Sequence, residues 1–296
     1  MKFFNIILIF ILYIFSFPVF SANKFNLIPI EVSKNVYLFL GDIDDVNNNN
    51  GGAISNTGFI IGDNSILVID AGPSYLYASN VIEIINSYSN LPIKYLVVTH
   101  HHADHSFGIS RYLEINTEII MAEAEAKRYL KYGNRSLRQL HNLIGEEWLL
   151  NTEINTFNNL GKKYPINLDL GNRNITIELF EEGHSDGDLI IKDIGSNILF
   201  VGDLVFNQRA PTSPHANIYN WKNYLDEIMN KDWDYLIPGH GNIIKNKEDI
   251  LQTKKWINFI DKTAKQASKN GVSALEIFNK GLPQIIKKYK LGKETW

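Results

Sequence analysis

Lys94-Tyr95-Leu96-Val97-Val98-Thr99-His100-His101-His102-Ala103-Asp104-His105 is an apolar run that ends in a dense cluster of metal-binding side chains. The spacing H-x-H-x-D-H matters because residues two apart project one way, while those four and five positions on reach around a turn. Such a cluster can serve two metal ions at once, so a dinuclear hydrolytic site is the leading reading. The arrangement recurs: Ile175 to Glu181 is followed by His184, Asn197 to Gly202 by Asp203, and Asp234 to Gly239 by His240. A buried strand that delivers a polar ligand at its C-terminal end, beside glycines that let the backbone turn, builds a site at one rim of a sheet. Of the eight histidines, His101 and His141 match no such position and read as structural, and His215 reads as a candidate rim residue.

Working outward, Asn35 to Leu40 and Gly58 to Ile61 read as strands joined by Asp42 to Gly52, a loop whose four consecutive asparagines and paired glycines predict mobility. Ser65 to Asp70 reads as a buried strand, Gly72-Pro73 as a helix start and Tyr75 to Ser87 as a helix on the sheet. After the ligand cluster come a strand at Glu118 to Met121, a helix at Ala122 to Lys131, a second helical segment at Ser136 to Leu150, and an irregular stretch from Asn151 to Pro165. The second half carries strands at Ile166 to Leu170, Ile175 to Phe180, Leu189 to Asp193 and Ile198 to Val201, with turns at Gly171-Asn172 and Gly195-Ser196. A helix from Trp221 to Met229, the strand ending in His240 and helical spacing from Lys247 to Trp296 complete the chain. Strands followed by helices in each half predict an α/β fold, an αββα sandwich of two mixed sheets flanked by helices.

The net charge of -3 and the short, scattered lysine clusters Lys162-Lys163, Lys254-Lys255 and Lys287-Lys288-Tyr289-Lys290 argue against a nucleic-acid track. At the N-terminus Lys2 precedes the apolar stretch Phe3 to Phe15, then Pro18 and the small residues Ser21 and Ala22, the order of a secretory signal peptide. Cleavage after Ser21 is favoured, because Val19 and Ser21 then fill the two small-residue positions. Residues 1–21 are thus read as a signal peptide, and 22–296 as one domain that includes the C-terminal helical segment 247–296. A periplasmic or secreted location follows, with membrane contact only if the segment stays uncleaved as an anchor. Zero cysteines mean no disulfides and no thiolate ligand, so any metal site uses nitrogen and oxygen donors.

The ordered pieces, the H-x-H-x-D-H cluster, G-H-S-D-G-D at Gly183 to Asp188, V-G-D at Val201 to Asp203 and P-G-H-G at Pro238 to Gly241, resemble the metallo-β-lactamase fold superfamily from about residue 35 to residue 245. The resemblance implies that His100, His102 and His184 hold one metal, that Asp104, His105 and His240 hold a second, and that Asp203 bridges them. Two Zn²⁺ ions are expected, with iron or manganese able to occupy similar N/O sites. A hydroxide shared between the metals, oriented by the catalytic Asp104, would attack an ester, thioester or amide-like substrate.

In lactamases of the superfamily the position of Asp203 is typically cysteine or serine, while hydroxyacylglutathione hydrolases carry the aspartate together with a basic C-terminal region that Lys247 to Trp296 does not match. The run Val201 to Pro211, followed by Trp221 and Leu225, resembles the exported zinc metallohydrolases of periplasmic quinoprotein relay systems and sulfur-oxidation clusters. That likeness implies a small-molecule substrate and a periplasmic quinoprotein or redox partner. Arg209 is a candidate anion-binding residue at the rim, and Asn207 and Asn56 are candidate substrate contacts. Two alternatives stay open, a β-lactamase acting on β-lactam antibiotics and a non-catalytic metal-binding accessory factor for a periplasmic redox enzyme.

Overall fold

The computed structural model describes residues 25–158, 162–273 and 276. The first half supplies β1 (Ile30–Ser33), β2 (Val36–Phe39), β3 (Thr57–Ile61), β4 (Ile66–Ile69), α1 (Tyr75–Tyr88), β5 (Ile93–Val97), the short helices α2 (Ala103–Ser106) and α3 (Ile109–Leu113), β6 (Glu118–Ile120) and α4 (Glu123–Ile144). Its six strands lie in sequence order in one sheet. Pairing is antiparallel from β1 to β4 and parallel for β4–β5 and β5–β6. The second half supplies β7 (Ile166–Asp169), β8 (Asn174–Glu181), β9 (Gly187–Asp193), β10 (Ile198–Phe200), α5 (Ile218–Asn230), β11 (Tyr235–Ile237) and α6 (Ile250–Lys269). The second sheet runs β11-β10-β9-β8-β7, parallel only between β10 and β11.

The strands read as continuous apolar runs because both of their faces are covered. In β4, Ile66 and Val68 pack outward with Tyr77, Val81 and Ile85 of α1, whereas Leu67 and Ile69 point into the layer between the sheets. In β10, Ile198 and Phe200 fill that same layer, and Leu199 packs outward with Trp221, Leu225 and Ile228 of α5. Three apolar layers, one between the sheets and one under each helical coat, make the αββα sandwich.

Local signals place the helices. Ser74 caps α1 by accepting from Tyr77 N, and Asn217 caps α5 by accepting from Asn220 N. This cap starts α5 at Ile218, three residues before the Trp221 expected from the apolar spacing. Gly171 and Asn172 both adopt positive φ in the predicted turn between β7 and β8. The two helical segments expected between Ala122 and Leu150 merge into one helix, α4, which stops at Ile144 before Gly145 at φ 91° and a 3₁₀ turn at Glu146–Trp148. Gly133 sits buried inside α4, where a Cβ would come within 2.9 to 3.0 Å of three Ile154 side-chain atoms, so that glycine marks a close contact and not a break. The asparagine-rich loop Asp42 to Gly52, expected to be mobile, is internally bonded: Asn47 Oδ1 accepts from Asn49 N and Asn50 N, and Asn50 Oδ1 accepts from Asn47 N and Gly52 N. The signal-peptide reading of residues 1–21, and the end of the helical segment 247–296 beyond α6, lie outside the described residues. Among the described residues no helix is long and apolar enough to cross a membrane.

Candidate metal centre

The strand ends converge because the backbone turns sharply after each of them. Beyond β5, Thr99 is pinned by Asp70, whose Oδ1 accepts the Thr99 amide at 2.7 Å and whose Oδ2 accepts Thr99 Oγ1 at 3.1 Å. The chain then passes His100, His101 and His102 and enters α2, whose first turn carries Asp104 and His105. His184 occupies the turn between β8 and β9, and Asp203 the 3₁₀ turn Gly202–Leu204 after β10. His240 follows β11 behind Gly239, where a Cβ would overlap the Asp203 carboxylate. That steric limit explains why glycine precedes this ligand.

The seven predicted ligands form two groups. In the first, His102 Nδ1 stands 2.9 Å from His100 Nε2 and 3.2 Å from His184 Nε2. Asp203 Oδ2 lies 3.7 Å from His100 Nε2 and 3.4 Å from His184 Nε2. In the second, Asp104 Oδ2 lies 3.5 Å from His105 Nε2 and 3.3 Å from His240 Nε2. Asp203 Oδ1 is 3.2 Å from His105 Nε2 and 3.3 Å from His240 Nε2. Asp203 therefore turns one oxygen to each group, the disposition of a bridging carboxylate.

Partners behind the rings fix which nitrogen faces inward, since a ring nitrogen that donates outward leaves the lone pair on the other. His105 Nδ1 donates to Asp70 Oδ2 at 2.8 Å and His240 Nδ1 to the Ile54 carbonyl at 2.9 Å. His100 Nδ1 faces Thr99 Oγ1 at 3.0 Å, and because that hydroxyl donates to Asp70, the imidazole is the donor. The ring of His184 is held by contact with Trp221 and Phe206, at centroid distances of 5.1 and 5.9 Å.

Burial, reinforced by neighbouring imidazoles, holds His100 and His102 well below the ordinary histidine range and lowers His184 to about 4. At His105 burial opposes the imidazolium, but Asp104, Asp203 and Asp70 outweigh it and raise the ring well above that range. At Asp203 burial pushes upward, yet His240 and His105 prevail and hold the carboxyl well below its usual value. Among the described residues, His105 Nε2 and Asp203 Oδ1 are buried without a hydrogen bond of acceptable geometry, although they face each other. Unpaired buried polar atoms cost free energy unless something else meets them. A divalent cation in each of the two groups fits these sets of imidazoles and carboxylates.

The expected substrate residues line up differently. Asn56 accepts from Gly41 N at 3.0 Å and donates to the Pro238 and Gly241 carbonyls, both at 2.8 Å, so its amide holds the loop that carries His240. Asn207 Nδ2 donates to the Asn242 carbonyl at 2.9 Å on the same loop. Arg209 is buried, not exposed, with Nη1 on the Asp42 carbonyl at 3.2 Å. Its Nη2 lies 3.6 Å from Asp45 Oδ1, and burial lowers its pKa while Asp104, Asp203 and Asp42 oppose that shift, so the guanidinium serves the Asp42 to Asp45 loop. His215 bonds to His102 Nε2 at 3.0 Å. His101 lies against Glu125, a wholly buried carboxylate on α4 that also accepts the His101 and Gly187 amides.

Asp70 and Glu125 were not singled out in the sequence. Asp70 ends an apolar run, the same signal that marked the four ligand strands. Glu125 shares the helical stripe of Ala122, Ala126 and Tyr129, all buried, and a carboxylate in an apolar stripe is a legible anomaly.

A family model described as the metallo-beta-lactamase superfamily matches residues 50–240. The chain is 26% identical over 216 residues to a chicken protein named acyl-coenzyme A thioesterase MBLAC2, covering 64% of this chain and 73% of the relative. The human protein of that name is 25% identical over 217 residues, with the same coverage. Among solved structures, a metallo-beta-lactamase from Pontibacter korlensis superposes with a TM-score of 0.63 at 15% identity, covering 78% of this chain and 99% of that one. The metallo-beta-lactamase DIM-1 superposes with a TM-score of 0.60 at 19% identity, covering 79% and 97%. At these identities the structural likeness concerns the fold.

Proposed function

The chain belongs to the metallo-β-lactamase superfamily, and on that premise we propose that it is a dinuclear, zinc-dependent hydrolase of thioesters. The observation that carries this reading is the division of the Asp203 carboxylate between the two histidine groups. His100, His102 and His184 would hold one ion, Asp104, His105 and His240 the other, with Asp203 between them. Bound there, the ions supply Lewis acidity toward a carbonyl and bring water close to ionisation near neutral pH. Asp104 is only 17% exposed and stands at the edge of the second group, where its carboxylate can orient water and take its proton. The thioester class is supported by the names of the 26% and 25% identical relatives.

Export is part of the same reading, supported by the order of Lys2, Phe3 to Phe15 and Pro18 to Ala22. Association with a quinoprotein relay system is supported by the run Val201 to Pro211 with Trp221 and Leu225. The test uses zinc-loaded protein with acyl-coenzyme A and acyl-glutathione, read by a thiol-reactive chromophore. With no cysteine in the chain, only product thiol gives a signal. Thiol release abolished by a chelator is the expected result. Turnover of a chromogenic cephalosporin without thiol release would replace the thioester by a β-lactam, and metal binding without either turnover would favour the accessory-factor reading.

A further inference from the structure

Three imidazoles gather on the solvent side of the first ligand group. His101, His102 and His215 each offer a ring nitrogen, and these nitrogens lie within 4.8 Å of one another. His102 turns Nδ1 toward His100 and His184, and its Nε2 lies 3.0 Å from His215 Nδ1. The facing nitrogens inside the first group are 2.9 and 3.2 Å apart. Nitrogens bound at about 2.0 to 2.1 Å around a tetrahedral ion stand about 3.3 Å from one another, so the rim pair has a spacing that an ion can span after a small adjustment.

His101 provides the second observation. Its Nδ1 lies 2.5 Å from Oε2 of Glu125, which is fully buried. A carboxylate behind the outer nitrogen is what orients a metal-bound imidazole and raises its basicity. The chain uses the same device at His105, backed by the buried carboxylate of Asp70 at 2.8 Å. With Nδ1–H donated to Glu125, His101 keeps its lone pair on Nε2.

We propose that His101, His102 and His215 form a third divalent-cation site at the rim, taking zinc or a metal of similar preference for imidazole. Three ring nitrogens bind the ion, and water completes its coordination, because His215 is exposed. The rim ion would displace to solvent the proton that His102 Nε2 shares with His215 Nδ1. Because the His102 ring serves the first group as well, the rim site fills last.

The experiment is equilibrium dialysis of tag-free protein against rising free zinc, with bound zinc read by elemental analysis. Wild type, His215→Ala, His101→Gln and, as a surface control, His141→Ala are compared, each checked for fold by circular dichroism. Wild type and His141→Ala should take up one more equivalent than His215→Ala and His101→Gln, whose affinity for that last ion falls at least about tenfold. Equal stoichiometry in wild type and His215→Ala overturns the site, as does a last equivalent that persists in both rim variants. The readout is a difference in bound zinc and needs no turnover, so failure of the thioesterase reading would leave it standing or falling on its own.

Discussion

Asp70 leaves β4 with φ at 60°, a left-handed conformation that costs a non-glycine residue free energy. Its bonds to the Thr99 amide, the Thr99 hydroxyl and His105 Nδ1 offset that cost, and they place its carboxylate behind both the turn and the ring of the first ligand cluster. Asp70→Asn keeps the shape but loses the charged acceptor of the imidazole proton. Zinc affinity at the Asp104–His105–His240 group should fall about 10- to 100-fold while the first group keeps its ion, as measured by titration against a chromophoric chelator. Asp188 gives a pH-dependent counterpart. Burial pushes its carboxyl up to about 7, Glu125 and Asp203 add to the rise, and the Ser185 bonds oppose it. The folded, metal-free chain therefore keeps this proton between about pH 4 and 7, where the unfolded chain has lost it. A raised folded value contributes stability at low pH that is lost as pH rises through that window. In urea unfolding of chelated protein, Asp188→Asn should gain on wild type by on the order of 2 kcal/mol from pH 5 to pH 8. An unchanged difference at the two pH values would reject the account.

At the scale of elements, α4 does more than coat a sheet. Glu125 on its first turns reaches the His101 amide at 2.9 Å and the Gly187 amide at 3.1 Å, tying the ligand loop after β5 to the strand that follows His184. Glu125→Ala leaves two buried backbone donors unpaired, each worth about 1 to 3 kcal/mol, so the melting temperature should fall by several degrees. Zinc should bind the first group more weakly in the same variant, and a fall in stability with normal zinc affinity would make Glu125 a packing residue only. This tie is not legible in the sequence, because Glu125 sits inside an expected helix and its partners, His101 and Gly187, are remote along the chain. The sequence reading divides the helix into Ala122 to Lys131 and Ser136 to Leu150, whereas α4 is continuous and Gly133, in the gap, lies buried against Ile154 from a distant stretch of chain. Helix propensity is local, and a glycine retained for close packing looks the same in sequence as one that ends a helix. The buried strands were legible for the opposite reason, since runs such as Ile66–Ile69 and Ile198–Phe200 are apolar on both faces and are flanked by turn residues.

Across the whole molecule, the first half contributes His100, His102, Asp104 and His105 and the second contributes His184, Asp203 and His240. This order was readable because each ligand ends a strand, a one-dimensional signal repeated along the chain. Asn56 and Arg209 were harder to place: their bonds to Pro238, Gly241 and Asp42 join segments remote in sequence, and only the closed sandwich reveals them. The same geometry has a thermodynamic consequence. Each ligand group draws on both halves, so ions held there would bind the folded chain and find no assembled site in the unfolded one. Such binding stabilises by RT ln(1 + [L]/Kd), about 4 kcal/mol for one site at a thousandfold excess over Kd. For a chain of this size each kcal/mol moves the melting temperature by about 2 to 4 °C. Removal of metal by a chelator should therefore lower the melting temperature by roughly 8 to 16 °C, and readdition of zinc should restore it. Asp203→Ala, which loses the carboxylate facing both groups, should melt near the chelated wild type and respond little to zinc. If it instead responds to zinc as fully as wild type, Asp203 does not join the two halves through metal.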